Sequence, residues 1–269
     1  MASQLRAVYP SDEAEGLAWW IAEETTGLSR TQLLCGCKGT KNIPNMQTII
    51  DRLLHFEPIQ YIFGHTLWCG LDLKVTPATL IPRPETAELV ERVNTAYSIQ
   101  TDRAAIRVLD IGTGSGCIAI ALKKKHPDWL VKGIDISEEA IGVAKENAQR
   151  NEAEVDFRQM DIFSDECGTF APFDIVVSNP PYITESEKKS MRPNVLAFEP
   201  HTALFVPDTD PLLFYRRIAS LHLGTHLFME INEAYPSELQ VLLTEKGYKD
   251  IHITNDMYGK PRIIEGRMA

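Results

Sequence analysis

From residue 106 to residue 265 short apolar runs alternate with stretches of helical period, and nothing else in the chain restricts the fold as strongly. The runs 106–111, 130–134, 155–159, 173–178 and 226–231 have the length and branched apolar content of buried strands. Residues 117–125, 138–150, 212–221 and 236–245 carry helical spacing between and after them. Successive parallel strands need a long crossover, which a helix supplies, so the alternation predicts a mostly parallel sheet with helices on both faces. The two last strands, 249–254 and 262–265, have no helix between them and predict one antiparallel strand at the end of that sheet.

The first 60 residues follow a different rule. Ser11 to Thr26 places Leu17, Trp20, Ile21 and Glu24 at helical spacing, behind Ser11-Asp12-Glu13 as N-cap and acidic first turn. Residues 29–34 and 45–56 read the same way, the second with Ile49, Ile50, Leu53 and Leu54 as its apolar stripe. The expectation is a small all-helical domain over 1–60, with Trp19 and Trp20 in its core. Over 61–80 the pattern shifts to short alternating runs, a hairpin linker, and the α/β domain occupies 81–269. That domain opens on the rigid turn Pro82-Arg83-Pro84-Glu85-Thr86 and a helix over 85–97.

Composition serves here to exclude. With 44% hydrophobic and 24% charged residues the chain is globular rather than disordered. A formal charge of −10 leaves little with which to neutralise phosphates, so direct nucleic-acid binding is not expected. The five cysteines lack disulfide or metal-site spacing and suit free thiols, so no metal is expected. No apolar run is long enough to span a bilayer and the N-terminus has no signal pattern, which makes the cytoplasm the expected location, with no membrane partner.

Two motifs carry chemistry. Gly112-Thr113-Gly114-Ser115-Gly116 follows the first apolar strand and opens a helix, where glycines permit positive φ and let a ligand approach the backbone. Asp135 ends the second strand and can accept both ribose hydroxyls of a bound nucleoside. A dinucleotide fingerprint would want Gly or Ala at 117, and Cys117 stands there, so the loop suits S-adenosyl-L-methionine, which brings no phosphate, better than a pyrophosphate. Asp161, ending the third strand, either meets the adenine amine or caps the turn before Ile162.

Asn179-Pro180-Pro181-Tyr182 ends the fourth strand, on the sheet edge where open α/β sheets bind ligands. The two prolines hold the Pro180 carbonyl in a fixed direction and Asn179 adds a side-chain oxygen. Together they can accept both hydrogens of a planar NH2 group. The lone pair of such a nitrogen is delocalised, and fixed acceptors draw density onto it as it becomes tetrahedral. The alkylated nitrogen is acidic and loses its proton late, so no strong base is obligatory. Tyr182 would stack on the planar group.

With these motifs the chain resembles class I S-adenosylmethionine-dependent methyltransferases of planar nitrogens, which are Rossmann-like. It is most similar to the HemK/PrmC family, which methylates the side-chain nitrogen (N5) of the glutamine in the Gly-Gly-Gln motif of peptide chain release factors. The resemblance runs from residue 58 to the C-terminus, over 58–64, 80–86, 108–118, 178–183, Phe198-Glu199-Pro200 with Ala203-Leu204, and 256–262. It implies a release factor as protein substrate, with translation termination as its setting; a monomer is expected. It implies donor binding by Gly112, Thr113, Gly114, Ser115, Gly116, Asp135 and Asn179, and Asp161 and Ile162 are expected to join them. Asn179, Pro180 and Tyr182 become the catalytic residues, and Pro181, Arg83 and Glu199 join them in holding substrate. The helical domain helps to dock the release factor. Ala87 and Ile162 depart from the family pattern, in which many members carry an acid and some an aromatic at those places.

One rival uses the same chemistry, a nucleic-acid methyltransferase acting on an exocyclic amine, adenine N6 or guanine N2. It would need a flipped base and a basic surface, and Lys123-Lys124-Lys125 and Lys188-Lys189 are too short for one.

Overall fold

The computed structural model describes residues 1–39, 46–97, 105–170 and 172–268. Two compact units result, Met1–Gly64 with Arg192–Phe198, and His65–Met191 with Glu199–Ala269. In the first, α1 (Ala2–Leu5), α2 (Ser11–Thr26), α3 (Arg30–Leu34), α4 (Met46–Leu54) and α5 (Ile59–Phe63) enclose a core of Leu5, Ala14, Ile21, Ile49, Ile50, Leu53 and Ile59. Trp20 packs on that core, whereas Trp19 lies against the Arg30 guanidinium, 4.7 Å from its ring centre. The N-cap of α2 is Pro10, so Ser11 is already helical and its hydroxyl caps nothing; Gly27, at φ 72°, ends the helix in the left-handed conformation. Asn45, the expected first residue of the next long helix, lies outside the described residues. The hairpin linker expected from residue 61 starts later, because Ile59–Phe63 coil into α5, bounded by Pro58 and by Gly64 at φ 76°.

The second unit begins with the hairpin β1 (His65–Trp68) and β2 (Leu71–Lys74), closed by Cys69 and Gly70, both at positive φ as a tight hairpin turn requires. Along the chain follow α6 (Pro84–Tyr97), β3 (Arg107–Ile111), α7 (Cys117–Lys125), β4 (Leu130–Asp135), α8 (Glu138–Arg150), β5 (Asp156–Gln159), β6 (Phe173–Ser178) and β7 (Ile183–Thr184). The short α9 (Pro193–Phe198) belongs to the first unit. The chain then continues through β8 (Phe205–Val206), α10 (Leu213–Leu221), β9 (Gly224–Glu230), α11 (Pro236–Glu245), β10 (Tyr248–Asn255) and β11 (Pro261–Met268).

Seven strands make one sheet in the order β10-β11-β9-β6-β3-β4-β5. The pairs β3–β4, β3–β6, β4–β5 and β6–β9 are parallel, and β11 runs antiparallel to both its neighbours. The antiparallel strand is therefore present but one place in from the edge, because the α11 crossover leaves a gap beside β9 that the returning β11 fills. Val108, Ile175, Val177 and Phe228 face one apolar layer of the sheet, and Leu109, Val176, Leu227 and Met229 face the other. Such alternation is what a sheet covered on both faces demands.

Candidate active site

The register of the parallel strands decides which loops meet. Ile111 pairs with Ile134 and with Ser178, and Ser178 pairs with Met229. The strands β3, β4, β6 and β9 thus end level. The loop 112–116, Asp135, Asn179 and Glu230 all come at the same edge of the sheet.

Gly112, Gly114 and Gly116 sit at φ 70°, 53° and 81°. A Cβ on Gly112 or Gly114 would meet no atom within 4 Å, so open space fronts that half of the loop; on Gly116 it would lie 2.9 Å from the Phe157 ring. Gly112 and Thr113 both donate their N–H to the Ile134 carbonyl, Gly116 donates to Thr113, and Gly114 donates to Asp135 Oδ2 at 2.9 Å. The amides of Gly112, Thr113, Gly114 and Gly116 are thus turned inward and do not form the row of free donors that a pyrophosphate wants. Thr113 and Ser115 are buried, the Thr113 hydroxyl donating to Asp110 at 2.6 Å and the Ser115 carbonyl accepting from Asn147. Burial pushes the Asp110 carboxyl up to about 7.

Asp135 is half-buried. Its Oδ1 accepts from the Ser137 N–H at 3.0 Å while Oδ2 holds Gly114, which ties the end of β4 to the glycine loop. Burial raises its pKa and these backbone donors oppose the rise. The Ile136 N–H is a third backbone donor to this carboxylate, so the side chain is fixed in direction at the end of β4. Asp161 Oδ1 accepts the Phe163 N–H at 2.9 Å, the bond of a turn-capping aspartate, and the Ile162 side chain is buried in the same apolar cluster as Tyr215 and Ile218.

Asn179 and Tyr182 are half-buried and converge on one carboxylate. The Asn179 side-chain NH2 donates to Thr86 Oγ1 at 3.1 Å, and the Thr86 hydroxyl donates to Glu230 Oε2 at 2.7 Å. Tyr182 donates to Glu230 Oε1 at 2.9 Å. Glu230 is 1% exposed; burial raises its pKa, against the two hydroxyl donors and the Arg262 charge. The Tyr182 phenol is held well above its ordinary range by burial and by the Glu230 charge, so it remains a donor. Asn232 donates to the Tyr182 carbonyl at 3.1 Å and fixes the far end of the tetrapeptide. Pro180 is buried and Pro181 half-buried between these anchors.

Arg83 and Glu199 meet each other. The guanidinium lies 2.6 Å from Glu199 Oε1, and Oε2 of the same 3% exposed carboxylate accepts the Ile81 N–H. They brace the segment before α6 against the one before β8. Thr86 and Glu230 escaped the sequence reading. Glu230 carried a usable signal, an acid at the end of an apolar strand on the ligand edge. Thr86 carried none. A recess of about 620 Å3, lined by Tyr97, Arg107, Asp174 and Arg267 among others, opens at the opposite edge of the sheet and shares no residue with the site. Among the described residues no group of three or more His, Cys, Asp and Glu side chains could hold a metal ion, and no helix is long and apolar enough to cross a membrane.

Comparison with known proteins shows the family. The family model for the methyltransferase small domain matches residues 87–197, and that for the PrmC N-terminal domain matches residues 1–64. A protein of Bacteroides thetaiotaomicron named release factor glutamine methyltransferase is 43% identical over 97% of this chain and 95% of its own length. The protein of the same name from Flavobacterium psychrophilum is 40% identical over 97% and 94%, and that from Streptococcus pneumoniae 39% over 81% and 78%. Among solved structures, the human METTL16 catalytic domain in complex with a MAT2A 3′UTR hairpin aligns at a TM-score of 0.62 with 17% identity, over 80% of this chain and 84% of that one. A methyltransferase from Pyrococcus furiosus aligns at 0.52 with 18% identity, over 81% and 96%. At such identities these two structures speak for the fold alone.

Proposed function

The chain belongs to the release factor glutamine methyltransferases, and from that premise we propose that it methylates N5 of the glutamine in the Gly-Gly-Gln motif of peptide chain release factors. The methyl donor is S-adenosyl-L-methionine, which brings an electrophilic methyl on a sulfonium to the site when bound. One observation carries the reading. The glycine loop, Asp135 and Asn179-Pro180-Pro181-Tyr182 lie at the level ends of adjacent parallel strands, so a donor cradle and a pair of amide acceptors share one edge.

In this reading the loop 112–116, Asp135, Asp161, Ile162 and Asn179 hold the donor. The fit rests on the open space before Gly112 and Gly114, on the fixed carboxylate of Asp135 at the end of β4, an acceptor of the kind a ribose hydroxyl needs, and on the inward amides of Gly112, Thr113, Gly114 and Gly116, which match a ligand without phosphate. Asn179 Oδ1 and the Pro180 carbonyl accept the two hydrogens of the target amide, and Tyr182 flanks its plane. These acceptors favour the tetrahedral, charge-bearing nitrogen over the planar one, which is where a catalyst must place its binding energy. The proton leaves after methylation, so no side chain has to remove it beforehand. Arg83 and Glu199 contribute by bracing the segment that presents substrate contacts, and the helical domain docks the release factor. The reading includes a monomer acting in the cytoplasm on protein, without direct contact to nucleic acid or membrane.

Incubation with methyl-labelled donor and either a purified release factor or total RNA tests it. Label is expected on the glutamine of the release factor; label on RNA alone would reverse the assignment.

A further inference from the structure

Beyond Asn179 itself, the structure holds a device that decides which way round its amide sits. An asparagine amide has an acceptor on one side and donors on the other, and only one orientation can receive a substrate N–H. We propose that Glu230 is a positioning residue that sets this orientation through Thr86, leaving Asn179 Oδ1 as the acceptor that faces the site.

The argument is one of hydrogen-bond polarity. A carboxylate only accepts. Both oxygens of Glu230 are engaged by hydroxyls, Oε2 by Thr86 at 2.7 Å and Oε1 by Tyr182 at 2.9 Å. A threonine hydroxyl has a single hydrogen, and here it is committed to Glu230. Toward Asn179 the Thr86 oxygen therefore has only lone pairs, so the amide must turn its NH2 to it, at 3.1 Å. The amide oxygen then points away from Thr86 by elimination. The opposite orientation would set two acceptors against each other at a buried position, since Thr86 is 2% and Glu230 1% exposed. Glu230 is itself held in place: Tyr215 donates to its backbone carbonyl at 3.3 Å, and Arg262, anchored on Asp256 at 3.1 Å, adds positive charge beside it.

The inference rests on the reading that Asn179 receives an N–H of the target amide. Its test combines turnover of a release factor with a readout that needs no substrate. Thr86→Val keeps the volume and removes the hydroxyl; it should lower kcat by about 10- to 100-fold. Thr86→Ser should restore turnover to within about threefold of wild type. E230Q, which offers an NH2 where one hydroxyl needs an acceptor, should lose turnover like Thr86→Val. In an Asn179→Ala background Thr86→Val should cost nothing further, because a positioning residue acts only through what it positions. Independently, the Asn179 side-chain NH2 resonances, identified by their absence from Asn179→Ala, should shift in Thr86→Val and return in Thr86→Ser.

Unchanged kcat in Thr86→Val, no rescue by Thr86→Ser, or an equal loss in the Asn179→Ala background would overturn the proposal. If E230Q yields no folded protein, the Thr86 pair decides the matter. A wild-type enzyme that leaves the release factor unlabelled would overturn the functional reading instead, and the amide resonances would still decide the orientation.

Discussion

At the scale of single residues the site depends on a few polar atoms whose directions are fixed by buried partners. Asn179→Ala removes one of two acceptors from a partly desolvated site, and kcat should fall by about 10²- to 10³-fold, measured with labelled donor. A variant with near-normal turnover would leave amide polarisation without its main group. Asp110 makes a prediction about stability. Its carboxyl is fully buried, and burial pushes its pKa up to about 7 from the 3.8 of a free aspartate. Between those values the folded chain binds a proton there that the unfolded chain does not, so this group's contribution to stability falls as pH rises from about 4 to about 7. Asp110→Asn removes the effect. Relative to wild type it should gain stability steadily over that interval in urea titrations, by at most about 4 kcal/mol at the upper end. A difference between the two proteins that does not vary with pH would show that Asp110 ionises alike in both states.

The element that matters most is the turn from β3 into α7, and its two ends have separate tasks. Gly112 faces open space and Gly116 faces the Phe157 ring, although both sit at positive φ. Gly112→Ala should therefore cost little more than the backbone strain, about 1 kcal/mol in denaturant unfolding, yet weaken donor binding by placing a methyl in the cradle. Gly116→Ala should cost about 2 kcal/mol or more, since its Cβ would press on Phe157 at 2.9 Å and Ile120 at 3.1 Å. Equal effects of the two variants on stability and on donor affinity would show that the loop has no such division. This motif was legible from residues 106–125 because strand, glycines and helix are consecutive. Helix α7 falls on the residues whose periodicity announced it. Helix α5 was not legible, because five residues between Pro58 and Gly64 are too few for a helical period to declare itself.

At the scale of the molecule the charge bears on the choice of substrate. With 27 basic against 37 acidic residues, binding to a short single-stranded RNA at low salt should be weaker than about 10⁻⁴ M in fluorescence anisotropy. Tight, steeply salt-dependent binding would favour the exocyclic-amine alternative. The amino-acid sequence alone determined the α/β class, the helical character of the first 60 residues and the placing of both motifs at strand ends. These are properties of neighbours along the chain, where periodicity and turn chemistry act over a few residues. Only the tertiary structure decided that β11 enters between β9 and β10, that Arg83 meets Glu199, and that Asn179, Thr86 and Glu230 form one hydrogen-bonded line. Those partners stand 93 to 144 positions apart, and no local preference specifies which side chains come into register when strands far separated in the chain are laid side by side.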